Sequence, residues 1–70
     1  MSPEKLAYMA NQIGRFFASQ KGVPAVDGIQ DHLKKFWDPR MRQTIIANLD
    51  NKALQLDPLV REAIERLRAS

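Results

Sequence analysis

The chain contains no cysteine. That absence excludes disulfides, thiolate-held metals or clusters, and a cysteine nucleophile. There is one histidine, His32, which cannot build a zinc site unless carboxylates or a second chain complete it. Only three glycines occur, and none belongs to a glycine-rich phosphate loop. No apolar run approaches the roughly 20 residues needed to cross a bilayer. The opening Met1-Ser2-Pro3-Glu4-Lys5 lacks the basic-then-apolar order of a secretory signal, so a cytoplasmic protein is expected. With 70 residues the chain is one small domain. A domain of this size hides only about 60% of the surface its unfolded form exposes. Small domains commonly need a staple, and with disulfides excluded and a metal improbable on these residues, the expected staple is another protein surface.

Catalytic groups are as scarce. Ser2, Ser19 and Ser70 fall at expected helix ends or the terminus, and Thr44 on a helix, none near His32 in sequence. Asp38 and Asp57 are accounted for as helix caps, and the other acids have basic partners at helical spacing. No catalytic, cofactor-binding or metal-binding residue is assigned, and the chain is not expected to be an enzyme.

What is present is helical patterning. Ser2 as cap, Pro3 at the first position and Glu4 in the first turn open a helix expected over 3–20. Its apolar stripe is Leu6, Met9, Ala10, Ile13, Phe16 and Phe17. Gly14 inside it costs up to about 1 kcal/mol against alanine and points to a close helix crossing. Gly22 suits a left-handed position after its end, with Pro24 following. A second helix is expected over 25–37, with Val26, Ile29, Leu33, Phe36 and Trp37 apolar and Asp31 placed to pair with Lys34 or Lys35. Asp38-Pro39 ends that helix and caps a third over 39–49, whose buried stripe is Met41, Ile45, Ile46 and Leu49. Asp50-Asn51-Lys52 is a turn and 53–56 a loop or single helical turn. Asp57-Pro58 then opens a fourth helix over 58–68, with Glu62–Arg66 and Arg61–Glu65 pairs on its wet side. The fold class is all-α, a compact bundle of about four short helices. Asp38, Pro39, Arg42 and Ile45 recur at the offsets of Asp57, Pro58, Arg61 and Ile64, which two similar helix starts produce without a repeat.

Charge concentrates at the corner between the second and third helices. Between Lys34 and Arg42, four bases less one acid leave +3, equal to the net charge of the whole chain. Aromatic neighbours occur twice, as Phe16-Phe17 and Phe36-Trp37. Adjacent helical residues diverge by about 100°, so a narrow stripe cannot bury both members of a pair. Either each helix is buried over a wide arc or one ring of each pair is exposed. Trp37, between Lys35 and Arg40, is the ring expected at a contact surface. Lys34, Lys35, Trp37, Arg40, Met41 and Arg42 therefore form the candidate partner-binding site, apolar at its centre and positive at its rim. The alternative is a basic helix-turn-helix-like nucleic-acid binder. Against it, +3 is low for neutralising several phosphates, and Arg40, Gln43, Ala47 and Asn48 make a thin reading face.

Specific runs then bear on identity. Met9-Ala10-Asn11-Gln12-Ile13 with Phe16-Phe17, Gly28-Ile29, His32-Leu33, Phe36-Trp37-Asp38-Pro39-Arg40-Met41 and Leu56-Asp57-Pro58-Leu59-Val60 resemble the delta subunit of NAD-dependent, molybdenum-containing formate dehydrogenases. The similarity runs from about Lys5 to Leu67. It implies a small accessory subunit that assists assembly, cofactor insertion or stability, most directly by docking on the catalytic alpha subunit. Molybdopterin, iron–sulfur clusters, FMN and NAD would belong to larger partner subunits, with none in this chain. A homodimer is the expectation only for the isolated chain.

Overall fold

Proline occupies the first turn of three of the four helices: α1 (Pro3–Ala18), α3 (Pro39–Ala47) and α4 (Pro58–Ala69). The remaining helix, α2 (Ala25–Phe36), begins directly after Pro24. Proline fixes φ near the helical value and lacks an N–H that would have no partner there. The computed structural model describes residues 2–70, and among them there are four helices and no strand. This is the expected small all-α bundle. No helix among the described residues is long and apolar enough to cross a membrane.

Capping decides where the helices begin and end. Ser2 Oγ accepts the Lys5 N–H at 3.2 Å, and Asp38 Oδ1 accepts the Met41 N–H at 2.8 Å. α1 stops at Ala18 and not at residue 20, because Ser19 closes it with its hydroxyl on the Phe16 carbonyl at 2.7 Å. Gly22 takes the expected left-handed conformation, φ +83°, within the following turn and not directly at the helix end. α3 stops at Ala47, two residues before the expected end. Asn48 Nδ2 donates to the Thr44 carbonyl at 2.8 Å and satisfies a group the helix leaves open. Asp57 stands at the start of α4 but its carboxylate caps nothing, contrary to expectation. Its N–H instead donates to Asn11 Oδ1 at 3.0 Å, while Asn11 Nδ2 donates to the Gln55 carbonyl at 2.8 Å. One amide of α1 thus holds both sides of the loop that enters α4.

The core takes Leu6, Ala7 and Ala10 from α1, Val26, Ile29 and Leu33 from α2, Ile45 and Leu49 around α3, Leu54 from the loop, and Val60, Ala63, Ile64 and Leu67 from α4. α2 and α4 form the most extensive pair, with α1 next against α2. α1 is turned from the expected orientation. Its innermost residues are Leu6, Ala7, Ala10 and Gly14, while Met9, Ile13 and Phe17 pack at the margin and Phe16 faces water. Small residues at 7, 10 and 14 let neighbouring helices approach closely, and a Cβ on Gly14 would collide with Val60 Cγ2. That contact is the close crossing Gly14 implied. Asp31–Lys35 and Glu62–Arg66 pair at 3.0 and 3.3 Å, and Arg66 also reaches Asp27 of α2 at 2.9 Å. The expected Arg61–Glu65 pair does not form. Arg61 Nη1 donates to the Leu49 carbonyl at 2.6 Å instead.

Candidate docking surface

At the corner between α2 and α3, the structure divides the six expected contact residues into two groups. Trp37 is 5% exposed and part of the core, which corrects the expectation of an exposed indole. The reason is register: Val26, Ile29, Leu33 and Trp37 lie at i, i+3, i+7 and i+11, so Trp37 continues the buried stripe. Met41 is half-buried against the core. Arg42 is half-buried too, and its Nη1 donates to the carbonyls of Lys34 at 3.0 Å and Trp37 at 2.5 Å. These three side chains therefore help build the corner. Lys34, Lys35 and Arg40 remain in solvent, with Lys35 paired to Asp31.

The exposed ring of the Phe36-Trp37 pair is Phe36, at 73%. On α1 the exposed member is Phe16, at 58%, while Phe17 is half-buried. These residues line up with His32. Phe16 and Phe17 meet edge to face with centroids 5.2 Å apart, Phe17 and His32 at 6.2 Å, and His32 and Phe36 at 4.7 Å. The result is a continuous row of four rings across the α1–α2 seam. Gly28, His32 and Phe36 sit at i, i+4 and i+8, one line along α2. Gly28 leaves room for the Phe17 ring, which a Cβ there would strike. Gln12 and Ile13 complete a shallow groove with Phe16, Phe17 and His32. In sequence, His32 stood as an isolated imidazole, and the signal that linked it to the phenylalanines was the four-residue spacing from Gly28 through Phe36.

A second groove lies between α1 and the loop before α4, lined by Glu4, Tyr8, Asn11, Arg15, Leu54 and Gln55 among others. Its polar groups are partly engaged: Gln12 Nε2 donates to Tyr8 Oη at 3.0 Å, and Asn11 holds the loop. Among the described residues no three His, Asp or Glu side chains converge in a way that could hold a metal ion. On α3, Asn48 Nδ2 donates to the Thr44 carbonyl, so one polar group of the supposed reading face is turned onto its own backbone. The α1–α2 seam thus presents a partly exposed aromatic row, with the exposed Lys35 one turn from His32.

The family model described as NADH-dependent formate dehydrogenase delta subunit, FdsD, matches residues 5–64 of the 70. No curated protein and no solved structure matches the chain.

Proposed function

The chain belongs to the NADH-dependent formate dehydrogenase delta-subunit family, and from that membership we propose that it is a non-catalytic accessory subunit of the dehydrogenase, acting by docking on a larger subunit. The match across residues 5–64 carries this reading. The exposed rings and the bases Lys34, Lys35 and Arg40 support it, because a small domain gains stability when a partner covers apolar surface that it cannot bury alone.

Docking serves assembly, cofactor insertion or stability of the complex, with the catalytic alpha subunit as partner, in the cytoplasm. The molybdopterin, iron–sulfur clusters, FMN and NAD of the reaction reside in the partner subunits. This chain offers no cysteine, one histidine and no converging donor set among its described residues. In isolation the exposed rings favour self-association.

The test is recovery of the tagged chain from its native host at moderate salt, with the eluate assayed for formate-dependent NAD reduction and molybdenum. Activity together with the large subunits is the expected result. Nucleic acid recovered in their place, and lost steeply as salt rises, overturns the reading.

A further inference from the structure

Resting on the docking role, we infer that the ring row Phe16–Phe17–His32–Phe36 receives a short amphipathic helix of a larger subunit, apolar on the side that meets the rings and acidic along its flanks. Phe16 and Phe36 are the two most exposed large apolar side chains among the described residues, and the half-buried Phe17 and His32 rings join them into one row. Aromatic side chains gathered on one surface are the usual anchors of an interface. Successive centroid separations of 5.2, 6.2 and 4.7 Å limit the row to about three helical turns at about 5.4 Å each. The groove between α1 and α2 suits a helix laid along it, held by residues at i, i+3, i+4 and i+7.

The charge around the row sets the flanks of the partner. No acidic residue lies between Lys5 and Val26. Asp27 and Asp31 of α2 are already paired with Arg66 and Lys35. Lys5 falls on the same flank of α1 as Met9, Gln12 and Phe16, at i, i+4, i+7 and i+11. Lys35 is one turn beyond His32, and Arg40, four residues past Phe36 at the start of α3, is exposed without an ion pair among the described residues, while Lys34 points to the other side of α2. A second copy of this chain would bring the same positive rim against itself. An acidic helix meets it with opposite charge, which steers encounter and fixes orientation. The row is also set before binding, since Phe17 is seated over Gly28 and packs against both neighbouring rings, so less side-chain freedom is lost on docking.

The experiment uses the assembled dehydrogenase, purified through a tag on a larger subunit. Photoreactive p-benzoylphenylalanine replaces Phe36, and in a separate preparation Leu59, an exposed residue of α4. After illumination, position 36 is expected to cross-link to a larger subunit within a helical segment rich in Asp and Glu, and position 59 not to. Phe16→Asp with Phe36→Asp, checked for unchanged helical content, is expected to reduce the amount of this chain retained in the complex at least tenfold. A cross-link from position 36 to a second copy of this chain, to nucleic acid or to a segment without acidic residues overturns the inference. So does a cross-link from position 59 but not 36, or full retention of the folded double variant. Those results leave the accessory role standing, because the wild-type chain is still found in the complex. Its absence from the purified complex removes the accessory role itself, and the inference with it.

Discussion

Arg42 of α3 donates to the backbone carbonyl of Trp37 at 2.5 Å, closing the corner that α2 makes as it ends. The same nitrogen reaches the Lys34 carbonyl at 3.0 Å. At the next helix start Arg61 holds the Leu49 carbonyl at 2.6 Å. Each arginine stands four residues after the aspartate of an Asp-Pro pair. A helix leaves its last carbonyls unpaired, and an arginine in the first turn of the following helix is placed to take them.

Removing Arg42 therefore weakens the fold before it weakens any interface. Arg42→Ala leaves the Lys34 and Trp37 carbonyls without their donor, and about 1–2 kcal/mol of stability is lost, the lower part of the range for a charged hydrogen bond because the site is only part-buried. Arg40→Ala, at an exposed position, changes stability by less than about 0.5 kcal/mol. Urea unfolding midpoints of the two variants against wild type provide the check. Equal midpoints would show that the clamp contributes nothing.

Trp37 and Phe36 are adjacent in sequence and opposite in role. Trp37→Ala empties the space of the largest side chain in the core, at a cost of about 3–5 kcal/mol. A domain of this size has little stability to spare, so the variant is expected to be largely unfolded at 25 °C. Phe36→Ala removes a solvated ring and leaves the thermal midpoint nearly unchanged. Far-UV circular dichroism melts of both variants measure this difference. The tryptophan fluorescence of the wild type, from a single buried indole, should shift to the red on unfolding.

Gly28 permits the ring row to form, and its substitution tests how rigid the row is. Alanine is the better helix former by up to about 1 kcal/mol. Yet a Cβ at position 28 would collide with the Phe17 ring, and such overpacking costs about 1–3 kcal/mol. Gly28→Ala is expected to destabilise the wild type and to stabilise a Phe17→Ala background. A double-mutant cycle from denaturant unfolding reads the change of sign directly. The same sign in both backgrounds would mean that the Phe17 ring moves aside freely.

The four helices, the Ser2 and Asp38 caps and the Asp31–Lys35 and Glu62–Arg66 pairs were legible because each depends on residues within a turn of one another. The family was legible from runs such as Phe36-Trp37-Asp38-Pro39-Arg40-Met41. The orientation of α1 was not, since hydrophobicity favoured Met9, Ile13 and Phe16 over the small residues at 7 and 14 that the neighbouring helices required. Position within Phe36-Trp37 was settled by the stripe from Val26 through Leu33, although local charge drew attention to the indole as a contact. Arg61 and Asn11 form bonds across 12, 44 and 46 residues, and such pairings have no periodicity to reveal them.

That last class of contact separates the two Asp-Pro starts, which look equivalent in sequence. Asp38 caps α3 through its side chain at 2.8 Å, so Asp38→Ala should cost about 1 kcal/mol. The Asp57 side chain accepts nothing from α4, and Asp57→Ala should cost only the attraction of its charge for the helix dipole, about 0.3–1 kcal/mol at low ionic strength and less in high salt. The work of fixing the α4 start falls to Asn11, whose amide accepts from the Asp57 N–H and donates to the Gln55 carbonyl. Asn11→Ala breaks both bonds and should destabilise by about 1–3 kcal/mol. It should also raise hydrogen exchange at the Asp57 N–H above any global change. Asn11→Asp keeps the acceptor but sets a carboxylate against the Gln55 carbonyl, so the Asp57 N–H stays protected while stability still falls. Equal losses for Asp38→Ala and Asp57→Ala, with no effect at Asn11, would return both helix starts to the single capping device that the sequence suggests.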